Sequence, residues 1–229
     1  MPGEVIGMPV RDEGERCGAV GVEPQTQRRE VEGLGFEIER HWGERRSESG
    51  ICTRKLSAYD AAMIIRGATR DDLPGIIEIY NESIPGGQAT ADLEPITVAS
   101  REVWFGEFDP KRRPCWVAED EGEVVGCVYL RSFYAGRPAY DATAEISTYL
   151  AKSHQGKGLG TILKEKMIAE CPRLGVKNLL SFYFDHNEAS RRINQKLGFQ
   201  EAAHLTEIAE VFGKKRGLVI AILRIEELS

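Results

Sequence analysis

The stretch that most limits how this chain can fold runs from Thr143 to Asn187: TAEISTYLAKSHQGKGLGTILKEKMIAECPRLGVKNLLSFYFDHN. TAEISTYL predicts a strand, and Leu159, Ile162, Leu163, Met167 and Ile168 at helical spacing predict a helix over Gly158 to Cys171. The mostly apolar VKNLLSFYF predicts a second strand, of the kind buried on both faces. Between the first strand and the helix stands QGKGLG, residues 155–160, with three glycines at the handover. Glycine lets consecutive backbone amides converge on an anion, and the helix start adds the positive end of its dipole. A phosphate group is the first ligand class this implies.

Upstream, Met63 to Arg66 predicts a short strand, and Thr69 with Asp72 a capping arrangement ahead of a helix over Arg70 to Ser83. A turn-rich stretch, IPGGQATADLEP, is long enough to wall a site. Pro95 to Phe108 returns to helical spacing, with most of Val98, Val103, Trp104 and Phe108 read as core. CWVAED, a DEGE turn and VVGCVYLRSFY predict a hairpin, to which YDATAEISTYL adds a third antiparallel strand. Asn187 to Leu197 predicts a helix closed by Gly198, and Gln200 to Phe212, a GKKRG turn and Leu218 to Ile225 predict a closing pair of strands.

Residues 1–62 differ in texture. They hold 9 of the 24 glycines, many charges and no sustained period, and read as a poorly ordered extension or as the product of a misassigned start. The compact domain is expected over 63–229. Lys and Arg against Asp and Glu number 9 to 12 in residues 1–62 and 21 to 24 in 63–229, so no basic block points to nucleic acid or an anionic membrane. Five scattered cysteines without metal-ligand spacing imply reduced thiols, no disulfide framework and no metal site. The longest apolar run, Leu218 to Leu223, is far short of a membrane span, and no apolar export signal opens the chain; a cytoplasmic protein is expected.

Two phosphate-binding readings of the glycine turn fail. A P-loop needs a glycine where Ala151 stands, and a dinucleotide fingerprint needs G-x-G-x-x-G, whereas Gly156, Gly158 and Gly160 run G-x-G-x-G. The third pattern, Gln-x-x-Gly-x-Gly with Asn187 after the next strand and KLGF at 196–199, resembles the GNAT superfamily of acyl-CoA-dependent N-acyltransferases. The resemblance covers about 160 residues from Met63 and implies an α/β (α+β layered) fold. Its mixed, mostly antiparallel sheet of about six to seven strands would splay at the acetyl-CoA site and be flanked by helices.

On that resemblance Gln155, Gly156, Lys157, Gly158, Leu159, Gly160 and Thr161 hold the pyrophosphate, with Lys164 a further charge near it. Ser147, Thr148, Tyr149 and Leu150 meet the pantetheine arm and thioester, and Asn187 and Ser190 complete the cofactor set. Backbone N–H groups near Thr148 and Tyr149 would polarise the thioester carbonyl.

Acetyl transfer to an amine needs the amine neutral. Glu145 is the candidate base, since a carboxylate in an otherwise apolar or small-residue strand should have its pKa raised; it shares a face with Ser147 and Tyr149. RPAYDATAEISTYL, ATADLEP with Trp104 following, and NEAS from Asn187 resemble the phosphinothricin and methionine sulfoximine N-acetyltransferase branch. In that branch the base corresponds to Glu145 and the acceptor is a small amino-acid analogue. Arg131, Phe133, Arg137 and Tyr140 are then the candidate acceptor contacts.

Two departures stand out. Asn194 occupies the place where many relatives carry a Tyr or His that protonates the departing thiolate, which leaves Tyr149, His186 or water for that step. FGKKRGLVIAIL lacks the acidic residue and Trp often found in this branch. An enzyme acetylating a polyamine or a peptide N-terminus, and a non-catalytic acyl-CoA sensor, are the alternatives; a homodimer would suit the resemblance.

Overall fold

The computed structural model describes residues 63–225, so the N-terminal extension lies outside the described residues, as do Cys17 and Cys52. Seven strands form one sheet: β1 (Ile64–Gly67), β2 (Cys115–Asp120), β3 (Glu123–Ser132), β4 (Thr143–Leu150), β5 (Asn178–Phe184), β6 (Gln200–Val211) and β7 (Lys214–Arg224). Their order is β1-β2-β3-β4-β5-β7-β6. Every neighbouring pair is antiparallel except β4 with β5. The helices are α1 (Leu73–Ser83), α2 (Val98–Gly106), α3 (Leu159–Glu170) and α4 (Glu188–Lys196). A parallel pair cannot be joined by a hairpin, and α3 supplies the crossover.

Strand alternation divides the interior in two. Val128, Leu130, Ala144 and Ile146 join Leu159, Leu163 and Met167 of α3 in the larger cluster. Cys127 and Tyr129 meet Ile76 of α1, with Trp104, Phe105 and Phe108 packed against them. Even-numbered positions of β4 therefore face α3, and odd-numbered ones face α1 and α2. Leu159, Leu163 and Met167 are fully buried, and each side chain of that size contributes about 1.5–3 kcal/mol by leaving water. At the start of α1, the Asp72 carboxylate accepts the Thr69 N–H at 2.6 Å and its hydroxyl at 3.0 Å, as the capping pattern predicts. Arg66 forks onto Asp72 and Glu119, both at 2.7 Å, and ties β1 to β2 and α1.

Three expectations change. α2 begins at Val98, where the Thr97 hydroxyl accepts the Ser100 N–H at 3.2 Å. Val103, read as core, is 81% exposed; Trp104 takes the inward stripe, packing edge to face on Phe108 at 4.8 Å, and its predecessor lies about 100° round the helix. The last hairpin turns at Phe212 and Gly213, both at positive φ as a tight two-residue turn needs, so Lys214 to Gly217 belong to β7. Cys115, Cys127 and Cys171 are buried free thiols, in line with the sequence.

Candidate active site

β4 and β5 pair at three positions, Thr143 with Asn178, Ala144 with Leu179 and Glu145 with Leu180, and then part. β4 stays in register with β3 as far as Leu150, and the Ala151 N–H continues that ladder to the Val125 carbonyl at 3.0 Å. Antiparallel alternation therefore commits the backbone groups of Glu145, Ser147 and Tyr149 to β3 and turns those of Ile146, Thr148 and Leu150 towards β5. Past Glu145 the β5 side is open, so the donors that face the opening are Thr148 and Leu150. Tyr149, expected to share that role, has its N–H turned the other way. A groove of about 970 Å³ fills the opening.

Gln155 closes the turn below it, its Nε2 donating to the Leu150 carbonyl at 3.1 Å. Gly156 and Gly158 have φ of +74° and +94°. A Cβ at either would meet nothing within 4 Å, so glycine is required there by the backbone angle and not by space. Gly158 is the N-cap of α3 and no side chain caps the helix. Among the described residues no backbone acceptor is paired with the amides of Gly156, Lys157 and Gly158. Those donors and the positive end of the helix dipole are left without a backbone acceptor, an arrangement that suits an anion.

Gln155, Gly156 and Gly160 line the groove, as do Ser147, Thr148, Tyr149, Leu150, Asn187 and Ser190, whereas Lys157, Gly158, Leu159 and Thr161 do not. Lys157 is exposed, and the Leu159 side chain is core, fully buried among α3 and the strands. Lys164, expected near the phosphates, is instead buried, donating from Nζ to Asn194 Oδ1 at 2.8 Å and to Ser181 Oγ at 3.2 Å. Burial alone lowers its pKa to about 7.

Asn187 is an anchor. Its Oδ1 accepts the Ser190 N–H at 3.0 Å, capping α4, and its Nδ2 donates to the Gln88 carbonyl at 2.9 Å. His186 Nε2 bonds the Gly87 carbonyl at 2.9 Å, and Asn81 holds Ile96 through both its N–H and its carbonyl at 2.9 Å. These bonds pin the loop from Gly87 to Ile96 as the rim of the groove, the wall predicted for that stretch. His186, one of the proton donors considered above, has this ring nitrogen engaged and does not line the groove.

On the α1 and α2 side the groove ends in an aromatic chamber of Tyr80, Trp104, Tyr129 and Tyr149. Tyr80 and Tyr149 lie 5.0 Å apart between ring centres, and Tyr129 stacks on Tyr149 at 6.3 Å. Arg101 reaches in across Tyr80 and Trp104, 5.6 and 5.9 Å from the ring centres. Asp92 fixes it at 3.1 Å and also accepts the Tyr80 hydroxyl at 2.6 Å. Tyr80, Arg101, Trp104 and Tyr129 escaped the sequence reading of the site. The aromatic residues look like core in a hydropathy pattern, and an Arg on a helix reads as solvated surface.

Glu145 is half-buried and sits opposite Arg131 in the β3–β4 register. Desolvation raises its pKa above the usual carboxylate value, and the positive charge of Arg131 opposes this in part. Glu145 is not a wall residue of the groove, though Ser147 and Tyr149 on the same face are. Burial also pushes the Tyr149 phenol well above its ordinary pKa, so it stays protonated. Its hydroxyl bonds the Ala89 carbonyl at 3.4 Å.

Of the expected acceptor contacts, Arg131 lines the groove and lies 3.7 Å from Glu107. Phe133, Arg137 and Tyr140 do not line it. Their turns fold on themselves: Phe133 meets Tyr140 edge to face at 5.4 Å, and Arg137 covers the Tyr134 ring at 5.0 Å. No group of metal-ligating side chains occurs among the described residues, and no helix among them is long and apolar enough to cross a membrane.

A parted parallel strand pair, an uncapped glycine turn feeding α3 and an aromatic chamber behind them suit an acyltransferase of the acetyl-CoA-dependent kind. The acetyltransferase (GNAT) family profile matches residues 73–199, over half of the chain, and the chain belongs to that family. It is an N-acetyltransferase that uses acetyl-CoA. YwnH of Bacillus subtilis (strain 168), provisionally named a phosphinothricin acetyltransferase, is 40% identical over 159 residues, 69% of this chain and 96% of that protein. The L-methionine sulfoximine/L-methionine sulfone acetyltransferase of Pseudomonas paraeruginosa is 30% identical over 71% of this chain and 94% of its own length. Among solved structures, the phosphinothricin acetyltransferase of Sinorhizobium meliloti in complex with acetyl-CoA is 28% identical. It superposes with a TM-score of 0.67 over 71% of this chain and 88% of its own.

Proposed function

We propose that this protein transfers the acetyl group of acetyl-CoA to the primary amine of a small amino-acid-like acceptor of the phosphinothricin or methionine sulfoximine type. The observation that carries this is the chamber, where Arg101 is held in place by Asp92 over two aromatic faces and Arg131 stands nearby. A guanidinium fixed in this way suits a carboxylate, phosphinate or sulfoximine group, while the aromatic walls suit the acceptor's aliphatic stem. Among the described residues, Glu82 is the one acidic residue on the groove wall against Arg101, Arg131, Lys152 and Lys164. That balance disfavours a polyamine.

In this reading the pyrophosphate rests on the amides at Gly156 to Gly158, and the pantetheine arm pairs with β4 at Thr148 and Leu150. The Thr148 N–H meets the thioester oxygen as charge develops on it. Glu145, acting directly or through one water, takes the proton from the acceptor amine, which attacks the carbonyl carbon without a covalent enzyme intermediate. The three buried cysteines favour direct attack: burial raises each thiol well above its ordinary pKa, to about 12 for Cys127 and Cys171, so none is a ready nucleophile.

The test is CoA thiol release by the full chain offered phosphinothricin, methionine sulfoximine, methionine sulfone, spermidine and a short peptide. Turnover confined to the first three, and strongly reduced by Glu145→Gln, supports the reading; turnover with spermidine or peptide alone refutes the acceptor class.

A further inference from the structure

Lys164 carries a charge that the cofactor cradle does not use. It is 6% exposed on the second turn of α3 and lines the groove. Its Nζ bonds Asn194 Oδ1 at 2.8 Å and Ser181 Oγ at 3.2 Å, and Asn194 Nδ2 returns to Ser181 Oγ at 3.1 Å. An ammonium has three N–H groups, so one remains beyond these two bonds.

Its place along the groove is fixed by Ser181. β4 and β5 pair for the last time at Glu145 and Leu180, and Ser181 is the next residue of β5. Lys164 therefore stands where the strands part, on the α3 side of the sheet, while Glu145 and Tyr149 face the α1 side. The Thr148 hydroxyl, on the α3 side of β4, is buried there without a partner among the described residues. The groups that meet Nζ from the packed elements are Ser181 on β5, Asn194 on α4 and the Phe199 ring at 5.5 Å, none of them charged. Glu165 and Lys166, its neighbours on α3, are exposed. Burying an ammonium among neutral groups is costly and needs a compensating reason.

We propose that Lys164 is the proton donor to the CoA sulfur. When the tetrahedral intermediate collapses, the C–S bond breaks, its electron pair goes to sulfur, and one Lys164 N–H proton moves to that sulfur to give the CoA thiol. The Lys164 amine regains a proton from water when CoA leaves. The acceptor nitrogen loses its own proton separately, towards Glu145. A lysine brought down to about 7 suits this step, because it is still substantially protonated near neutrality and is a stronger acid than an ordinary thiol near 8.5.

The inference rests on acetyl-CoA using the β4–β5 opening, and its test separates the two. Bound CoA is titrated by thiolate absorbance in the wild-type chain and in Lys164→Met, a near-isosteric change. Then kcat is followed across pH 5.5–9.5 with whichever acceptor turns over. Expected are a bound thiol pKa lower by about one unit in the wild type than in the variant, and a fall in kcat of about tenfold or more in the variant with the KM for acetyl-CoA little changed. The alkaline limb of kcat near pH 7 should vanish with the lysine. Lys164→Gln guards against a packing artefact and should behave alike. Equal bound-thiol pKa values, or an alkaline limb that persists in both variants, would overturn the assignment. Since the wild-type turnover and CoA affinity are measured alongside, either of those results leaves the acetyltransferase reading standing; failure of CoA to bind would sink both.

Discussion

β5 has two neighbours and treats them differently. With β7 it pairs at seven positions, Asn178 with Arg224 through Phe184 with Leu218, without a break. With β4 it pairs at three and then stops. The β7 side is a structural seam in which backbone groups satisfy one another. The β4 side leaves the N–H groups of Thr148 and Leu150 to be satisfied by water or by a ligand, because unpaired backbone donors are costly to bury, while the Leu150 carbonyl already accepts from Gln155. Here a site is made by withholding pairing from an otherwise regular sheet. The two proposed proton-transfer groups lie on opposite faces of the sheet, Glu145 on the α1 side and Lys164 on the α3 side.

Substitutions around the opening should fail in distinct ways, and those around the seam should not. Glu145→Gln is expected to lower kcat by about a hundredfold or more while leaving acetyl-CoA affinity intact, which calorimetry and steady-state rates would separate. Arg101→Met should raise the acceptor KM by about tenfold or more through loss of a charge-assisted contact, with acetyl-CoA KM unmoved; a loss confined to the cofactor would put Arg101 outside the acceptor chamber. Gly158→Val forces a branched side chain to a φ of +94°. It should cost about 1–2 kcal/mol of stability and weaken acetyl-CoA binding, read from denaturation and titration of the same sample.

Smaller effects are expected on stability from Lys164 and on turnover from Tyr149. The folded-state pKa of Lys164, about 7, lies below the ordinary lysine value of 10.5. Between those values the unfolded chain binds the extra proton, so this group makes stability rise with pH from about 7 towards 10. Lys164→Met should remove that slope, and the difference between the two melting curves is the quantity to measure. Tyr149→Phe loses a hydroxyl bonded at 3.4 Å, a length at which little energy is at stake; kcat within about threefold of wild type is expected. A much larger loss would return the phenol to the list of reacting groups.

Much of the fold could be read from residue order because the patterns are local. Strand alternation in CWVAED and VVGCVYL, the spacing of Leu159, Leu163 and Met167, and the glycines at 156 and 158 each report on neighbours a few positions away. The parting of β4 from β5 followed from the glycine turn by resemblance, and the three-position pairing agrees with it. What escaped was contact between distant segments. Asn187, expected in the cofactor set, caps α4 with one half of its side chain and holds Gln88, 99 positions upstream, with the other. Arg101 becomes a site residue only because Asp92 and the Tyr80 and Trp104 rings hold it. Lys164 on an otherwise apolar helix face looks like a snorkelling charge until Asn194, 30 positions on, is found to accept from it. Phe133, Arg137 and Tyr140, expected at the acceptor, do not line the groove, and in the turns after β3 Phe133 packs on Tyr140 and Arg137 on Tyr134.

We propose that acetyl-CoA completes the β4 edge where β5 leaves it. Hydrogen exchange at single-residue resolution, with and without acetyl-CoA, addresses it directly. The amides of Thr148 and Leu150 should exchange quickly in the free protein and slow by about tenfold or more on binding, together with those of Gly156 to Gly158, while the β5–β7 ladder barely changes. Binding that leaves Thr148 and Leu150 as fast as before would contradict it.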